Sequence, residues 1–360
     1  MIKYIGSKRS IVPLIAGIVG RVPGVERVCD LFAGTTRVGQ ALKAQGHFVV
    51  SNDLATYSEV LGRTYIEANA RELDVHRLRR LLAELQALPG TRDYFTRTFC
   101  EDARYFQPHN GMKIDVIRPA IDGLECTEVE RAILLTSLIL GADHVDSTTG
   151  LQMAYLKGWA ARSFNQLELR LPELLPGDGM VLRQDANQLA RDLDDVDLVY
   201  VDPPYNQHSY YANYHIWETL VRNDRPESYG IANKRIDCRT TKSAYNSKPR
   251  MAAAFADLVQ GIRAPYVLVS FSSEGYLGFE QIRAILQERG CVASVAVDFK
   301  RYVGAQIGIF NPQGEKVGKV SHLRNQEYLF LVGPSRAVVE EAIAAPRIGV
   351  APGQLALGFV

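Results

Sequence analysis

The chain has 360 residues, 47% of them hydrophobic, which is enough material for one large or two medium domains. Its formal charge of +1 excludes a global polycation, so any contact with nucleic acid needs a local cluster of basic residues. The five cysteines are scattered and form no C-x-x-C pair, which argues against a zinc site or a disulfide framework and fits a reducing compartment. No apolar signal stretch opens the chain, and the longest apolar run, residues 132–142, is too short to span a bilayer. A cytoplasmic protein is expected.

The first chemical signal is a strand-like run, residues 27–32, that ends in a turn at Gly34. A glycine at the tightest point of such a turn lets the backbone approach a cofactor closely. Neither the phosphate-loop pattern nor a full G-x-G-x-x-G is present, so this signal is weak by itself. Asp53 stands nineteen residues after Gly34, at the end of a second predicted strand, residues 47–52. An acid at that interval can accept both ribose hydroxyls, although an aspartate that ends a strand is often a turn residue.

The α/β pattern is interrupted between residues 61 and 175, where apolar residues recur at helical spacing. This stretch predicts a mainly helical subdomain inserted into the sheet. Beyond it the pattern resumes with five strand-like runs: 180–183, 198–201, 265–271, 292–299 and 326–332. After Pro334 the composition thins into Ala, Pro and Gly, which predicts a frayed tail. The sequence thus predicts one α/β domain from residues 1–60 and 176–333, a helical insertion at 61–175 and a tail at 334–360.

The most specific stretch is the strand-like run 198–201, which leads into Asp202-Pro203-Pro204-Tyr205. The two prolines end the strand, because neither can donate to a ladder. Asp202 and the carbonyl of Pro203 are then acceptors at the carboxyl end of a strand, where ligands bind in open α/β sheets. Tyr205 adds a flat ring that can stack on a heterocycle. These four residues alone favour a pocket for an exocyclic base amine and a capped strand end equally. The aromatic segment that follows, residues 208–217, can also stack on unpaired bases.

Two loops concentrate basic residues. Residues 234–250 carry six Lys or Arg against a single acid, and a glycine-rich segment at 300–324 carries five against one. They predict phosphate contacts, with an ordinary solvated loop as the alternative. The candidate contacts are Lys234, Arg235, Arg239, Lys242, Lys248, Arg250, Lys300 and Arg301.

Taken together, these motifs resemble the alpha-class, Dam-type family of S-adenosylmethionine-dependent DNA adenine N6-methyltransferases, over most of residues 1–333. The matching segments, in the family's order, are Lys3-Tyr4-Ile5-Gly6-Ser7-Lys8, Asp30-Leu31-Phe32-Ala33-Gly34-Thr35, Asp53, Asp185 and Asp202-Pro203-Pro204-Tyr205. One departure is Thr36, which replaces the second glycine of the family's cofactor loop, and this affects either the turn or the affinity for the cofactor.

The resemblance implies a Rossmann-like methyltransferase sheet with a helical target-recognition insertion. It also implies a site-specific enzyme that moves the methyl group of S-adenosylmethionine to N6 of an adenine flipped out of duplex DNA. The implied catalytic residues are Asp202, Pro203, Pro204 and Tyr205. The implied cofactor-binding residues are Tyr4, Lys8, Asp30, Phe32, Gly34, Thr35, Asp53 and Asp185. No metal is implied. A monomer associated with the nucleoid is expected, and a cognate restriction endonuclease is a candidate partner.

Three alternatives remain open from the sequence. The same pocket can methylate N4 of cytosine, although the acid at Asp202 and the motif order favour adenine. Ring methylation of cytosine needs a nucleophilic cysteine, and no Pro-Cys dipeptide is present to suggest one. A homologue impaired at Thr36 would bind DNA without catalysis. A nicotinamide dehydrogenase is disfavoured by the incomplete glycine pattern and by the tetrad.

Overall fold

A mostly parallel sheet forms the centre of the computed structural model, which describes residues 2–4, 8–300, 309–310, 316–318 and 324–344. Its seven strands are β1 (Arg27–Asp30), β2 (Phe48–Asn52), β3 (Gly179–Leu182), β4 (Leu198–Val201), β5 (Tyr266–Ser272), β6 (Cys291–Lys300) and β7 (Arg324–Gly333). They lie in the order β3-β2-β1-β4-β5-β7-β6, and β7 runs antiparallel to both of its neighbours. This mixed α/β sheet confirms the predicted Rossmann-like fold.

The helices cover both faces of the sheet. In the described residues they are α1 (Val12–Val19), α2 (Arg37–Ala44), α3 (Thr56–Gly62), α4 (Val75–Ala87), α5 (Tyr94–Thr96), α6 (Pro108–Asp122), α7 (Glu128–His144), α8 (Ala186–Asp192), α9 (Tyr210–Asn213), α10 (His215–Arg222), α11 (Lys248–Gly261), α12 (Phe279–Gln287) and α13 (Arg336–Ala344). Successive strand residues point to opposite faces, so Val28 and Leu198 join one hydrophobic cluster while Cys29 and Val199 join the other. The strands are apolar on both faces because both faces are covered.

The helices between β2 and β3 extend the core on one face of the sheet. Ile114 of α6 and Leu134 of α7 belong to the same hydrophobic cluster as Val28 of β1, so this predicted insertion is packed onto the sheet and does not have a fully separate core. Helix α7 begins with a capping box, in which Thr127 and Glu130 satisfy each other's backbone amides.

Ion pairs tie the amino-terminal segment to the end of α7. The Lys3 ammonium lies 3.0 Å from Asp143 and 3.2 Å from Asp146, and both carboxylates are buried. Arg162 pairs with the same Asp146 oxygen, Oδ1, at 2.6 Å. The insertion therefore holds the start of the chain in place.

The prediction of a frayed tail is wrong for residues 336–344, which form α13. Val339 and Ala342 on this helix are fully buried and join the main hydrophobic cluster. The Ala, Pro and Gly content of the tail as a whole led to the prediction of fraying, although the apolar residues of 336–344 recur at helical spacing. Residues 345–360 lie outside the described part of the chain.

The burial of α13 makes a stability prediction. We expect Val339→Ala to lower the free energy of unfolding by about 2 kcal/mol, because it removes two buried methyl groups and leaves a cavity. Val338→Ala is the matched control, since Val338 is only half-buried, and it should cost clearly less. Denaturant unfolding of both variants provides the measurement; equal, negligible effects would mean that α13 does not pack as described.

Candidate active site

A cavity of about 200 Å³ opens at the carboxyl ends of β1, β2 and β4. It lies where the strand order reverses between β1 and β4, the position at which open α/β sheets bind ligands. Its walls bring together nearly all of the predicted site residues: Tyr4, Lys8, Asp30, Phe32, Gly34, Thr35, Asp53, Asp185, Asp202 and Pro204. Two residues of the predicted catalytic tetrad do not line it. Pro203 is buried, and the Tyr205 ring packs against Phe271 with ring centroids 6.0 Å apart.

Asn52 joins the ends of three strands beneath this cavity. Its side-chain amide donates to the carbonyls of Leu31 and Gln184, both at 3.1 Å, and its oxygen accepts from the Gln184 amide at 3.0 Å. The next residue, Asp53, accepts the Gly34 amide at 2.9 Å and the Ala55 amide at 3.0 Å. Burial raises the pKa of Asp53, and these backbone donors oppose the rise. The predicted ribose acid is thus fixed against the predicted cofactor turn.

The turn at Gly34 requires a residue without a side chain. Gly34 has φ +51°, and a Cβ there would lie 3.1 Å from the Tyr4 hydroxyl. The Tyr4 ring is held in place by stacking on Tyr214 and Tyr210, at centroid distances of 4.4 and 5.3 Å. The sequence predicted that a cofactor approaches the backbone closely at this glycine; within the structure, the close neighbour of Gly34 is the Tyr4 side chain.

Thr36 adopts the left-handed conformation that the family's glycine would take without strain. Its φ is +61°, and the residue is fully buried. The hydroxyl donates to the Thr35 carbonyl at 2.7 Å and accepts from the Gln40 side chain at 2.8 Å. These two bonds offset the cost of a β-branched residue in this conformation, about 1 to 2 kcal/mol.

Lys8 contacts the predicted catalytic acid. Its ammonium lies 3.0 Å from Asp202 Oδ1 and 2.5 Å from Glu327 Oε1, and Ser270 Oγ donates to the same Glu327 oxygen at 2.6 Å. Burial raises the pKa of Asp202 to about 6; Lys8 opposes this rise and Glu327 adds to it. Sequence reasoning placed Lys8 near the cofactor and assigned no role to Glu327, whose only signal was its place in the strand-like run 326–332.

Asp30 supplies a carboxylate suited to a cationic ligand. Burial raises its pKa to about 7, nearby Asp202 adds to the rise, and the Gly39 amide at 3.2 Å opposes it. Asp30 lines the cavity, and its second oxygen is buried with no hydrogen-bond partner among the described residues. S-adenosylmethionine carries a sulfonium and an ammonium group, so these residues fit that cofactor. Within the described residues, no cluster of three or more His, Cys, Asp or Glu could hold a metal ion.

The cavity also contains residues that the sequence did not single out individually. Tyr210 and Tyr211 line it after the tetrad, and Thr241 lines it beside the predicted DNA contact Lys242. Tyr245 packs edge-on against Phe32, with ring centroids 5.3 Å apart. The aromatic content of residues 208–217 was the sequence signal for the two tyrosines. No signal marked the wall at 241–246 beyond its basic character.

The side chains predicted to contact DNA differ in their exposure to solvent. Arg239, Lys242, Lys248 and Arg250 are exposed, and Lys234 is half-buried over the Tyr229 ring at 5.2 Å. Of the other three predicted contacts, Arg235 is buried, Lys300 lies in β6 with no described side chain, and Arg301 lies outside the described residues.

The prediction that Arg235 contacts DNA is wrong. Its side chain is 1% exposed and pairs with Asp224 at 2.7 Å and Asp237 at 2.8 Å. These two carboxylates and the Thr219 hydroxyl accept the guanidinium hydrogen bonds, so Arg235 fixes the short hairpin formed by Ser228–Tyr229 and Lys234–Arg235.

None of the described helices has the length and hydropathy needed to cross a bilayer.

The left-handed turn at Thr36 gives a second prediction. We expect Thr36→Gly to be more stable than Thr36→Ala by about 1 kcal/mol, because both lose the hydroxyl bonds but only glycine relieves the backbone strain. Thermal unfolding of the two variants side by side measures the difference. An alanine variant as stable as the glycine variant would contradict the left-handed conformation.

Comparison with known proteins agrees with this geometry. The chain is 33% identical over 320 residues to the modification methylase StsI of Streptococcus sanguinis, covering 83% of this chain and 48% of that protein. It is 32% identical to the type II methyltransferase M.NlaIII of Neisseria lactamica, covering 83% of this chain and 92% of that protein. A third relative, M.FokI of Planomicrobium okeanokoites, is 32% identical, over 80% of this chain and 47% of that protein. The chain therefore spans about half the length of StsI and M.FokI and nearly all of M.NlaIII.

Solved structures show more distant likenesses. One is an S-adenosylmethionine-dependent methyltransferase from Agrobacterium tumefaciens, 10% identical, with a TM-score of 0.36 over 92% of this chain and 64% of that one. The strand order, and not this likeness, identifies the fold. The profile of D12 class N6 adenine-specific DNA methyltransferases matches residues 4–272, from the amino-terminal motif to the end of β5. The chain belongs to the D12 class of N6 adenine-specific DNA methyltransferases.

Proposed function

We propose that this chain transfers the methyl group of S-adenosylmethionine to the exocyclic N6 amine of an adenine flipped out of double-stranded DNA. The observation that carries the proposal is the meeting of Asp202 with the Gly34 turn and Asp53 in one cavity. An acceptor for a base amine and a site for a nucleoside cofactor are thereby adjacent. Family membership favours N6 of adenine over N4 of cytosine.

Each part of the cavity has a role in holding the cofactor. Asp53 is placed to accept the ribose hydroxyls with the lone pairs that its backbone donors leave free. Asp185 caps α8 through one oxygen, at 3.0 Å from the Asn187 amide, and its other oxygen is assigned to the adenine end. Asp30 faces the cationic end, and Phe32 offers a ring beside it. When bound, S-adenosylmethionine supplies an electrophilic methyl group.

The tetrad prepares the base amine. Lys8 occupies Asp202 Oδ1, which leaves Oδ2 to accept a hydrogen bond from the amine. The Pro203 carbonyl is the second acceptor. Two acceptors in fixed positions direct the nitrogen lone pair toward the methyl group, so alignment supplies much of the rate. Tyr205, whose ring centroid lies 5.9 Å from the Lys8 ammonium, is proposed as the stacking ring, and Tyr210 and Tyr211 line the cavity proposed to receive the flipped base.

The DNA backbone is proposed to lie along the exposed basic residues beside the cavity. Lys242 is exposed and also lines the cavity wall, so phosphate contacts there are close to the reacting base. The helices of residues 61–175 are proposed to read the target sequence. We also propose a cytoplasmic, nucleoid-associated monomer that protects DNA from a cognate restriction endonuclease; the relatives named as modification methylases support the last point.

Replacing the catalytic acid tests the proposed chemistry. Asp202→Asn should reduce methyl transfer by about a hundredfold or more, because the amide cannot provide a charged acceptor. Radiolabelled S-adenosylmethionine and mixed unmethylated genomic DNA give the rate, and base-resolved product analysis identifies N6-methyladenine. Asp195→Asn is the control, since Asp195 is 86% exposed at the opposite end of β4. Label in cytosine, or equal rates for the two variants, would overturn the assignment.

Different effects are expected from replacing the exposed basic residues and from replacing the buried arginine. Arg239→Gln combined with Lys242→Gln should weaken DNA binding and reduce the slope of log affinity against log salt by about 0.9 for each phosphate that the protein no longer neutralises. The fold should be unaffected. Arg235→Gln should instead lower the free energy of unfolding by about 2 kcal/mol, since it removes the buried guanidinium that pairs with Asp224 and Asp237 and leaves them only the half-exposed Arg222 as a cationic partner. Fluorescence anisotropy across a salt series and thermal unfolding separate the two effects; an unchanged salt slope in the double variant would argue against the DNA path.

A further inference from the structure

One ammonium is shared by two buried carboxylates at the reacting end of the cavity. Lys8 Nζ lies 3.0 Å from Asp202 Oδ1 and 2.5 Å from Glu327 Oε1. The exposed fractions of the Lys8 and Glu327 side chains are 7% and 6%, against 19% for Asp202. Water therefore screens these contacts weakly, and small displacements of the ammonium change the electrostatic potential at the Asp202 carboxylate.

Glu327 is held by the sheet itself. It lies in β7 opposite Ser272 of β5, and Ser270 Oγ donates to its Oε1 at 2.6 Å. A carboxylate buried in the interior of a sheet costs free energy unless it is paired, so an apolar residue would be the more stabilising choice for a role in the fold alone. The fixed position of Glu327 instead determines where the Lys8 ammonium lies.

The proposed reaction makes a specific demand on this ammonium. Asp202 must stay ionised to hold the base amine, which requires a nearby positive charge. Asp202 must also keep one carboxylate oxygen free for the base amine. A lysine that paired only with Asp202 would compete for that oxygen. Lys8 meets the first requirement, and Glu327 meets the second, because it draws the ammonium to one side while leaving it 3.0 Å from Oδ1.

We propose that Glu327 is a positioning residue that acts through Lys8, restraining the ammonium so that Asp202 keeps one oxygen for the base amine. This inference rests on the proposed function, because it gives Asp202 its role there. It adds a residue that lies beyond the matched segment 4–272 and pairs with the same ammonium as Asp202.

The charged groups around Asp202 determine in which direction each variant should shift the pKa of Asp202. The titratable groups that interact electrostatically with Asp202 are Lys8, Asp30, Tyr200, Tyr205, Tyr210 and Glu327. After burial, which raises the pKa of Asp202, Lys8 lowers it and Glu327 raises it. Removing the Glu327 charge should therefore lower the pKa of Asp202 from about 6, and removing the Lys8 charge should raise it. Methyl transfer is lost as the pH falls through this coupled pKa.

The experiment compares Glu327→Gln and Lys8→Met with the wild-type full chain. Methyl transfer to unmethylated genomic DNA is measured between about pH 5 and pH 9. We expect Glu327→Gln to reduce the maximal rate about tenfold, with little change in KM for S-adenosylmethionine, and to move the acidic limb to lower pH. Lys8→Met should move the limb to higher pH. Limbs that move in the same direction, or a Glu327→Gln limb at the wild-type pH, would overturn the proposal.

Two further variants separate positioning from stability. Glu327→Asp keeps the charge and should keep the acidic limb at the wild-type pH; a limb moved as far as in Glu327→Gln would contradict the proposal. Asp197→Asn is the matched control, because Asp197 accepts the Arg27 amide at 2.7 Å next to the amino-terminal end of β4 and lies outside the cavity. It should lower the unfolding temperature without moving the limb.

A second measurement does not depend on activity. Carbon-13 NMR of protein labelled at the aspartate carboxyl groups, with the Asp202 signal assigned by Asp202→Asn, reports the pKa directly. The same opposite shifts in Glu327→Gln and Lys8→Met are expected there, and their absence would overturn the inference. A wild-type chain that methylates no DNA would refute the proposed function while this titration still tests the charge network.

Discussion

The active site depends on a concentration of carboxylates at the ends of neighbouring strands. Asp30 ends β1, Asp53 follows β2, Asp202 follows β4 and Glu327 lies in β7, while Lys8 pairs with two of the four. Burial of these charges costs free energy, which is why the pKa values of Asp30, Asp53 and Asp202 are raised. The same cost is relieved by a cationic ligand. The sheet is thus organised for a positively charged methyl donor before the donor binds.

The cofactor turn shows how local strain is accommodated next to this site. Gly34 and Thr36 are both left-handed, yet only Gly34 lacks the Cβ that this conformation disfavours. At Gly34 the neighbouring Tyr4 ring leaves no room for a side chain, whereas at Thr36 the hydroxyl is satisfied by Thr35 and Gln40. The departure from the family pattern therefore falls at the position of the turn where side-chain hydrogen bonds can offset it.

Much of the fold and of the site could be predicted because their signals are local in the sequence. Each strand of the sheet is a short apolar run, and Asp53 and Asp202 follow such runs directly, so topology alone brings them together. Glu327 could not be predicted as part of the site, since its contact with Lys8 joins residues 319 positions apart. Arg235 has the same composition-level signal as its exposed neighbours, and only the folded positions of Asp224 and Asp237 bury it.

The ion pairs of Lys3 with Asp143 and Asp146 have a consequence for re-engineering specificity. The helices proposed to read DNA anchor the same short segment that carries Tyr4 into the cavity. An exchange of residues 61–175 for those of a relative would replace both acids, and Lys3 would keep its partners only where the relative has acids at the same two places. Chimeras should therefore be built with the amino-terminal residues and the insertion taken from one parent, despite their distance in the chain.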